Sequence, residues 1–394
     1  MWQEQPTTNR RRTLLAAFLV IIVTIFTVLF SSLPQYAELI RPVISISVTV
    51  VDVSPNNSIL NGSIVSIKPV SDTSNSAENK TGRYVSMCAG NFDSRRIGNQ
   101  LFNFAAMLYV ARLTGRRVAM VRRHPYGWLD QWFEVSVTRV DNIGKELCPC
   151  VGVGEGGNLA FHAPLQKLHK RTNIVGKSLL ICGFFQSWKY TVGIESELRY
   201  HLRLIPNVSA AVDSYMEHIR PLAWKGQSFR RIGIHIRAGD VLSRRDKWDF
   251  GYTVPQRPYF EKAMSRFLNE SQGGPVQFIV TTDSLKWVKK AINFTSIADQ
   301  LNRTSTKNKV DVNVVYSEGH DAGFDLAVLS VCDGVIMSTG TYGWWGAWLA
   351  NKTTIYYSNW PRQGTALFSH FNRKDFFPPN WIPIGGPWFP CCQS

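Results

Sequence analysis

Residues 231–240 read RIGIHIRAGD, an apolar run that ends in a cluster of small and charged residues. The run has the β-branched character of a strand buried on both faces, so His235, Arg237, Gly239 and Asp240 fall at its carboxyl end. The same design recurs downstream. VQFIV (276–280) ends in Thr281-Thr282-Asp283, and GVIM (334–337) ends in Ser338-Thr339-Gly340-Thr341. Residues 312–316 and 353–357 read as further strands, the last closing the series. Helical patterns cover 258–268, 284–292, 321–332 and an aromatic stretch at 342–349. Strands alternating with single helices predict an α/β fold whose parallel sheet has helices on both faces. In such sheets ligands bind at the carboxyl ends of the strands, where these polar clusters lie.

The first half repeats the pattern more faintly. The globular part begins near Tyr84, and Gly98-Asn99 opens a helix with Leu101, Phe104, Ala105, Leu108 and Ala111 on its apolar stripe. RVAMV (117–121) and SLLICGFF (178–185) read as strands, the second delivering Gln186, Ser187 and Trp188 to its end.

The chain has 394 residues, 44% of them hydrophobic, enough to build two domains and too apolar for wholesale disorder. It carries 44 basic and 28 acidic residues, a net charge of +16, which suits nucleic acid, anionic lipid or a phosphate-bearing substrate. Compartment argues against nucleic acid. TLLAAFLVIIVTIFTVLFSSL (13–33) holds 21 uncharged residues, about 32 Å as a helix and enough to span a bilayer. Arg10, Arg11 and Arg12 precede it, which predicts a cytoplasmic tail (1–12), a signal anchor (13–33) and a lumenal remainder. A polar, Ser/Asn-rich stem occupies 34–82. Eight glycosylation sequons at Asn56, Asn61, Asn79, Asn207, Asn269, Asn293, Asn302 and Asn351 fit that side of the membrane. So do seven cysteines, Cys88, Cys148, Cys150, Cys182, Cys332, Cys391 and Cys392, all beyond the anchor and without zinc-type spacing. Their pairing is not fixed by the sequence.

Each cluster has two readings. Arg237 offers a permanent charge and a rigid fork of donors for a diphosphate, or it simply pairs with Asp240. Ser338–Thr341 joins a strand to a helix N-terminus, an arrangement that favours anions. Trp344, Trp345 and Trp348 are more simply explained as core. Asp283 reaches a ribose or base, or caps the next helix; Asp325 is equally open. Arg95–Gln100 is a phosphate-binding loop or a cap. The sheet-end clusters contain no DxD, and no GxxxxGK[ST], HExxH or GxSxG occurs, against an NTPase, zinc protease or serine hydrolase.

Together and in this order the clusters resemble one family, the α-1,2-fucosyltransferases of glycosyltransferase family 11. The residues that carry the likeness are Gly98-Asn99-Gln100-Leu101-Phe102, Gly183-Phe184-Phe185-Gln186-Ser187, His235-Ile236-Arg237-Ala238-Gly239-Asp240, Thr281-Thr282-Asp283 and Gly340-Thr341-Tyr342-Gly343-Trp344-Trp345. The resemblance implies a GT-B-like fold of two Rossmann-type domains, 83–225 on the acceptor side and 226–394 on the GDP-fucose side. It implies a Golgi enzyme of single-pass type II topology, with GDP-β-L-fucose as donor and a galactose-terminated glycan as acceptor. Donor-binding residues would be Asn99, Gln100, Arg237, Asp283, Ser338, Thr339, Gly340 and Thr341. Arg237, Asp240 and His235 would be catalytic. Transfer to the galactose 2-hydroxyl would invert the anomeric centre and need neither metal nor cofactor. The chain departs from the family at Ala238, where a second arginine is typical, and at Tyr342, where phenylalanine is common. A lumenal binding protein of the same fold, or a fucosyltransferase acting on protein hydroxyls, are the alternatives.

Overall fold

The computed structural model describes residues 84–88, 96–122, 127–154, 159–304 and 311–390. The expected anchor, the stem, Asn56, Asn61, Asn79, Arg95, Cys391 and Cys392 lie outside the described residues. No helix among the described residues is long and apolar enough to cross a membrane.

Two parallel sheets organise these residues. The first has five strands, β1 (Tyr84–Met87), β2 (Arg117–Val121), β3 (Thr138–Val140), β4 (Cys150–Gly154) and β5 (Ser178–Cys182), in the order β3-β2-β1-β5-β4. The second has six, β6 (Arg230–Ile236), β8 (Val276–Thr282), β9 (Val312–Tyr316), β10 (Gly334–Met337), β11 (Thr353–Tyr357) and β12 (Ile382–Ile384). Between β6 and β8 in the chain comes β7 (Val254–Pro255), which pairs antiparallel with β13 (Trp388–Phe389). The order of the second sheet is β12-β11-β10-β6-β8-β9, and every pairing in it is parallel. Counted along the chain this is the 3-2-1-4-5-6 order of doubly wound dinucleotide-binding sheets. The order reverses between β6 and β10, so a crevice opens outside their carboxyl ends.

The centre of this sheet is apolar on both faces. Ile232, Ile234 and Ile236 of β6 and Val335, Ile336 and Met337 of β10 are fully buried. That burial is why both strands read as continuous hydrophobic runs. Among the differences from the sequence expectation, three have a plain local cause. The series does not close at Tyr357 but continues into β12, an edge strand that accommodates Pro383. The strand expected over 178–185 stops at Cys182, and Phe185 then adopts a left-handed conformation (φ 52°) that turns the chain. The helix expected over 321–332 runs Ala322–Ser330, because Asp321 is its N-cap and accepts from the amides of Gly323 and Phe324 at 2.9 Å.

Helix α1 (Ile97–Thr114) is apolar on nearly every side and buried over most of its length. The short α2 (Gly239–Ser243) follows β6, α3 (Ala322–Ser330) precedes β10, and α4 (Thr341–Ala350) follows it. Phe102 of α1 meets Trp344 of α4 with ring centroids 4.5 Å apart, and Trp345 at 5.2 Å. The Trp344 indole donates to the Phe376 carbonyl at 2.8 Å. The tryptophans are therefore core, and they lock α1 onto α4 (truncating one costs about 3–5 kcal/mol). Disulfides join Cys88 to Cys182 and Cys148 to Cys150, while Cys332 is free and buried. Asn207, Asn269, Asn293 and Asn351 are exposed; Asn302 is half-buried, with its Oδ1 enclosed.

Candidate active site

A cavity of about 680 Å³ opens at the carboxyl ends of β6, β8 and β10, where the strand order reverses. Its wall includes His235 of β6 with Arg237, Gly239 and Asp240 just beyond it, and Thr281 and Thr282 of β8 with Asp283 just beyond it. His320, Ala322 and Asp325 come from the start of α3, Thr341 and Tyr342 from α4, and Arg96, Ile97 and Gly98 from the start of α1.

Two helix N-termini converge on this wall. A Cβ at Gly98 would lie 2.8 Å from the Thr341 carbonyl carbon, the Thr341 hydroxyl and the Tyr342 amide nitrogen, so only glycine permits the approach. Asn99 bridges the junction: its Oδ1 accepts from Thr341 Oγ1 at 2.8 Å and from Gln186 Nε2 at 3.0 Å. Gly340 has φ 88°, and any side chain there would also press on Arg237 Nη1. The amides that begin both helices carry the partial positive charge of a helix N-terminus.

Arg237 is held from three sides. Its Nε donates to Asp240 Oδ1 at 3.0 Å and its Nη2 to Oδ2 at 2.7 Å, while the guanidinium carbon sits 4.5 Å from the Tyr252 ring centroid. Its backbone amide donates to Ser338 Oγ at 2.9 Å. Burial opposes the arginine's charge, but the Asp240 fork outweighs it and raises the pKa. Burial likewise pulls Asp240 up, yet the Arg237 hydrogen bonds and the charges of Arg237, Arg96 and Lys247 hold it below its ordinary value. The ion pair expected as the structural alternative is thus present. Asp240, gripped by Arg237 on both oxygens, is poorly set up to take a proton.

His235 is buried beside the Tyr342 ring, 4.9 Å between centroids, and its Nδ1 has no hydrogen-bond partner among the described residues. Burial, with the Arg237 charge, pushes its pKa down to about 3, so the imidazole is neutral. Tyr342 donates to the Ala322 carbonyl, tying α4 to α3, and burial raises its pKa well above the ordinary value. Asp283 caps a different element from the one expected. Its Oδ1 accepts from the amides of Ala238 and Gly239 at 2.8 and 3.0 Å, fixing the start of α2 rather than of the helix after β8. Asp325 accepts from Ser317 Oγ at 2.6 Å, and burial pushes its pKa up to about 6 despite that bond, the Asp321 charge adding to the rise.

Of the residues singled out by sequence, His235, Arg237, Asp240, Asp283 and Thr341 line one cavity. Ser338 and Thr339 do not present their side chains to it. Both are fully buried, Ser338 under Arg237 and Thr339 against the Thr253 carbonyl. Gln100 is also buried, and Asn99 acts through Thr341. The expected site omitted His320 and Tyr342, which approach only once α3 and α4 pack. It also left Asp325 undecided. Among the described residues no three His, Cys, Asp or Glu side chains gather as a metal cluster.

The fold and this crevice define a doubly wound α/β protein with a cavity at the switch point of its second sheet, where Arg237 and two helix starts meet. The family model described as glycosyl transferase family 11 matches residues 169–385, more than half of the chain. The chain belongs to that family. It is 27% identical over 293 residues to mouse galactoside alpha-(1,2)-fucosyltransferase 2, covering 73% of this chain and 76% of the relative. To rat galactoside alpha-(1,2)-fucosyltransferase 1 it is 26% identical over 301 residues, 75% of this chain and 72% of the relative. Among solved structures it is similar to Arabidopsis thaliana FUT1 in complex with GDP, at 14% identity and a TM-score of 0.47, covering 76% of each chain.

Proposed function

We propose that the chain transfers L-fucose from GDP-β-L-fucose to the 2-hydroxyl of a terminal β-galactoside, with inversion and without a metal. The observation that carries this reading is the Arg237–Asp240 fork beside the α4 N-terminus, at the switch point of a family 11 sheet. Departure of GDP builds charge on the β-phosphate through a transition state of oxocarbenium character. A rigid guanidinium and helix-start amides fixed before the reaction stabilise that charge without reorganising. The names of the mouse and rat relatives supply the acceptor and the linkage. The arrangement would be GT-B-like, with 83–225 facing the acceptor and 226–394 the donor.

Asp240 orients Arg237 in this reading, and neutral His235 packs against Tyr342 at the donor end. The chain would be anchored in the Golgi membrane through 13–33, its catalytic part lumenal. Incubating it with labelled GDP-fucose and a panel of galactosides, lactose and peptides tests the reaction. Labelled galactoside carrying the fucose at the 2-position is the expected product. Label on peptide alone would redirect the acceptor to protein hydroxyls. A second reading, a binding protein without turnover, is favoured by one observation: Ala238, buried and bonded to Asp283, stands where the family usually has an arginine. GDP-fucose binding with neither transfer nor hydrolysis would establish it. Protease treatment of sealed microsomes tests the topology; a C-terminal tag digested while an N-terminal tag survives would refute it.

A further inference from the structure

Charge in the cavity is unevenly supplied for a diphosphate. Arg237 and Arg96 are its two arginines, set against the carboxyl groups of Asp240, Asp283 and Asp325. Asp240 already neutralises Arg237 through two hydrogen bonds, and its Oδ2 also accepts from Arg96 Nη2 at 3.3 Å. The two arginines are held very differently. The side chain of Arg237 is 17% exposed, whereas that of Arg96 is 69% exposed and makes that one long bond among the described residues. A charge-assisted bond of full strength is about 2.7–2.9 Å, so little holds Arg96 to Asp240. Arg96 also stands immediately before α1, whose start touches the start of α4 through Gly98.

We propose that Arg96 is a donor-binding residue that brings a second positive charge to the diphosphate, from the start of α1 beside Arg237. This rests on the reading of GDP-fucose as donor. Arg237 gives a fixed geometry and Arg96 a second, loosely held positive charge. When the diphosphate enters, the Arg96 guanidinium exchanges one weak bond to Asp240 for bonds to phosphate oxygens. Asp240 remains satisfied by Arg237. Without Arg96 the carboxyl groups of the cavity wall would outnumber its arginines three to one.

The test is the affinity of the full chain, purified in detergent, for GDP and for guanosine. Arg96→Ala should weaken GDP binding by about 10- to 100-fold, the range for losing charge-assisted hydrogen bonds, and guanosine binding by less than about threefold. Arg96→Lys keeps the charge and should fall between wild type and Arg96→Ala. Arg112→Ala, which removes an equally exposed arginine at the far end of α1, should change neither affinity. The melting temperature of Arg96→Ala should stay near that of wild type, since exposed ion pairs contribute little. Equal losses for GDP and guanosine with a lowered melting temperature would make Arg96 structural and overturn the proposal. GDP affinity unchanged in Arg96→Ala would overturn it too. Failure of the wild-type chain to bind GDP at all would instead remove the donor reading on which it rests.

Discussion

Arg237 and Asp240 are joined by two hydrogen bonds in parallel, Nε to Oδ1 at 3.0 Å and Nη2 to Oδ2 at 2.7 Å, with both side chains largely buried at the rim of the cavity. The pair spans one turn of chain after β6, so the strand end sets its position and the fork sets its orientation. A structural ion pair and the arginine proposed to bind the donor are therefore one object here. Asp240 fixes the plane of the guanidinium, and Arg237 Nη1 is left close to Gly340 at the start of α4.

Replacing the fork separates the two roles. Arg237→Lys keeps a charge but cannot make both bonds. It should lower kcat/KM for GDP-fucose by about 10²-fold or more, as expected for one positioned charge-stabilising donor. Arg237→Ala should in addition lower the melting temperature, because it strands a mostly buried carboxylate; breaking a buried pair costs about 3–5 kcal/mol, and Arg96 should offset part of that. Kinetics and melting curves of both variants decide it. Wild-type turnover in Arg237→Lys would leave the pair with a structural role alone.

Gly98 makes a second, independent claim on the site. Its missing side chain lets α1 touch Thr341 and Tyr342, and the contact is backbone on one side. Gly98→Ala should force the helix starts apart. Overpacking of this kind costs about 1–3 kcal/mol. The melting temperature should fall, and KM for GDP-fucose should rise with it if the converging amides hold the diphosphate. A variant with wild-type stability and KM would show that the junction tolerates separation.

How much of this was legible in the sequence follows from burial. The strands β6, β8 and β10 lie at the middle of a sheet covered on both faces, so each is a continuous apolar run bounded by polar residues. Edge and short strands carry no such signature. β3 has three residues, β4 is CVGVG with two glycines, and β12 contains a proline. The site divides in the same way. His235 lies near the end of buried β6, Arg237 and Asp240 just beyond it and Asp283 just beyond β8, so the apolar runs point to all four. Arg96 meets Asp240 across 144 residues, and Tyr342 bonds to Ala322 between two helices. Neither contact leaves a local pattern. Position in the loop alone places Ser338 and Thr339 in the expected site, but their side chains are buried in contacts beneath it, Ser338 with the Arg237 amide and Thr339 with the Thr253 carbonyl.

Metal independence is open to a direct measurement. The carboxyl groups that line the cavity are already engaged, Asp240 by two arginines, Asp283 by two backbone amides and Asp325 by the Ser317 hydroxyl. A divalent cation would have to displace those partners to gain oxygen ligands. Transfer should persist in excess EDTA with an unchanged KM for GDP-fucose. Complete loss, restored only by Mn²⁺ or Mg²⁺, would refute the assignment of charge stabilisation to arginines and amides.

Asp325 gives the sharpest pH-dependent expectation. It lines the cavity, accepts from Ser317 Oγ at 2.6 Å, and has a pKa pushed up to about 6, chiefly by burial. A carboxyl whose folded pKa is raised contributes stability that is fully present below the unfolded value, 3.8, and lost as pH rises through about 6. Above that pH the folded chain therefore carries a buried charge at a cost on the order of 1–3 kcal/mol. Asp325→Asn keeps the shape and an acceptor for Ser317 but cannot ionise. It should melt at a higher temperature than wild type at pH 7.5, by less at pH 6, and by nothing near pH 4. The same substitution should lower kcat/KM, because a charge retained in a ligand cavity at the expense of stability is expected where the ligand uses it. Melting curves at the three pH values, with kinetics at pH 7.5, test both halves. A stability difference that does not vary with pH would mean that Asp325 does not titrate in this range, and unchanged kinetics would leave it a structural partner of Ser317.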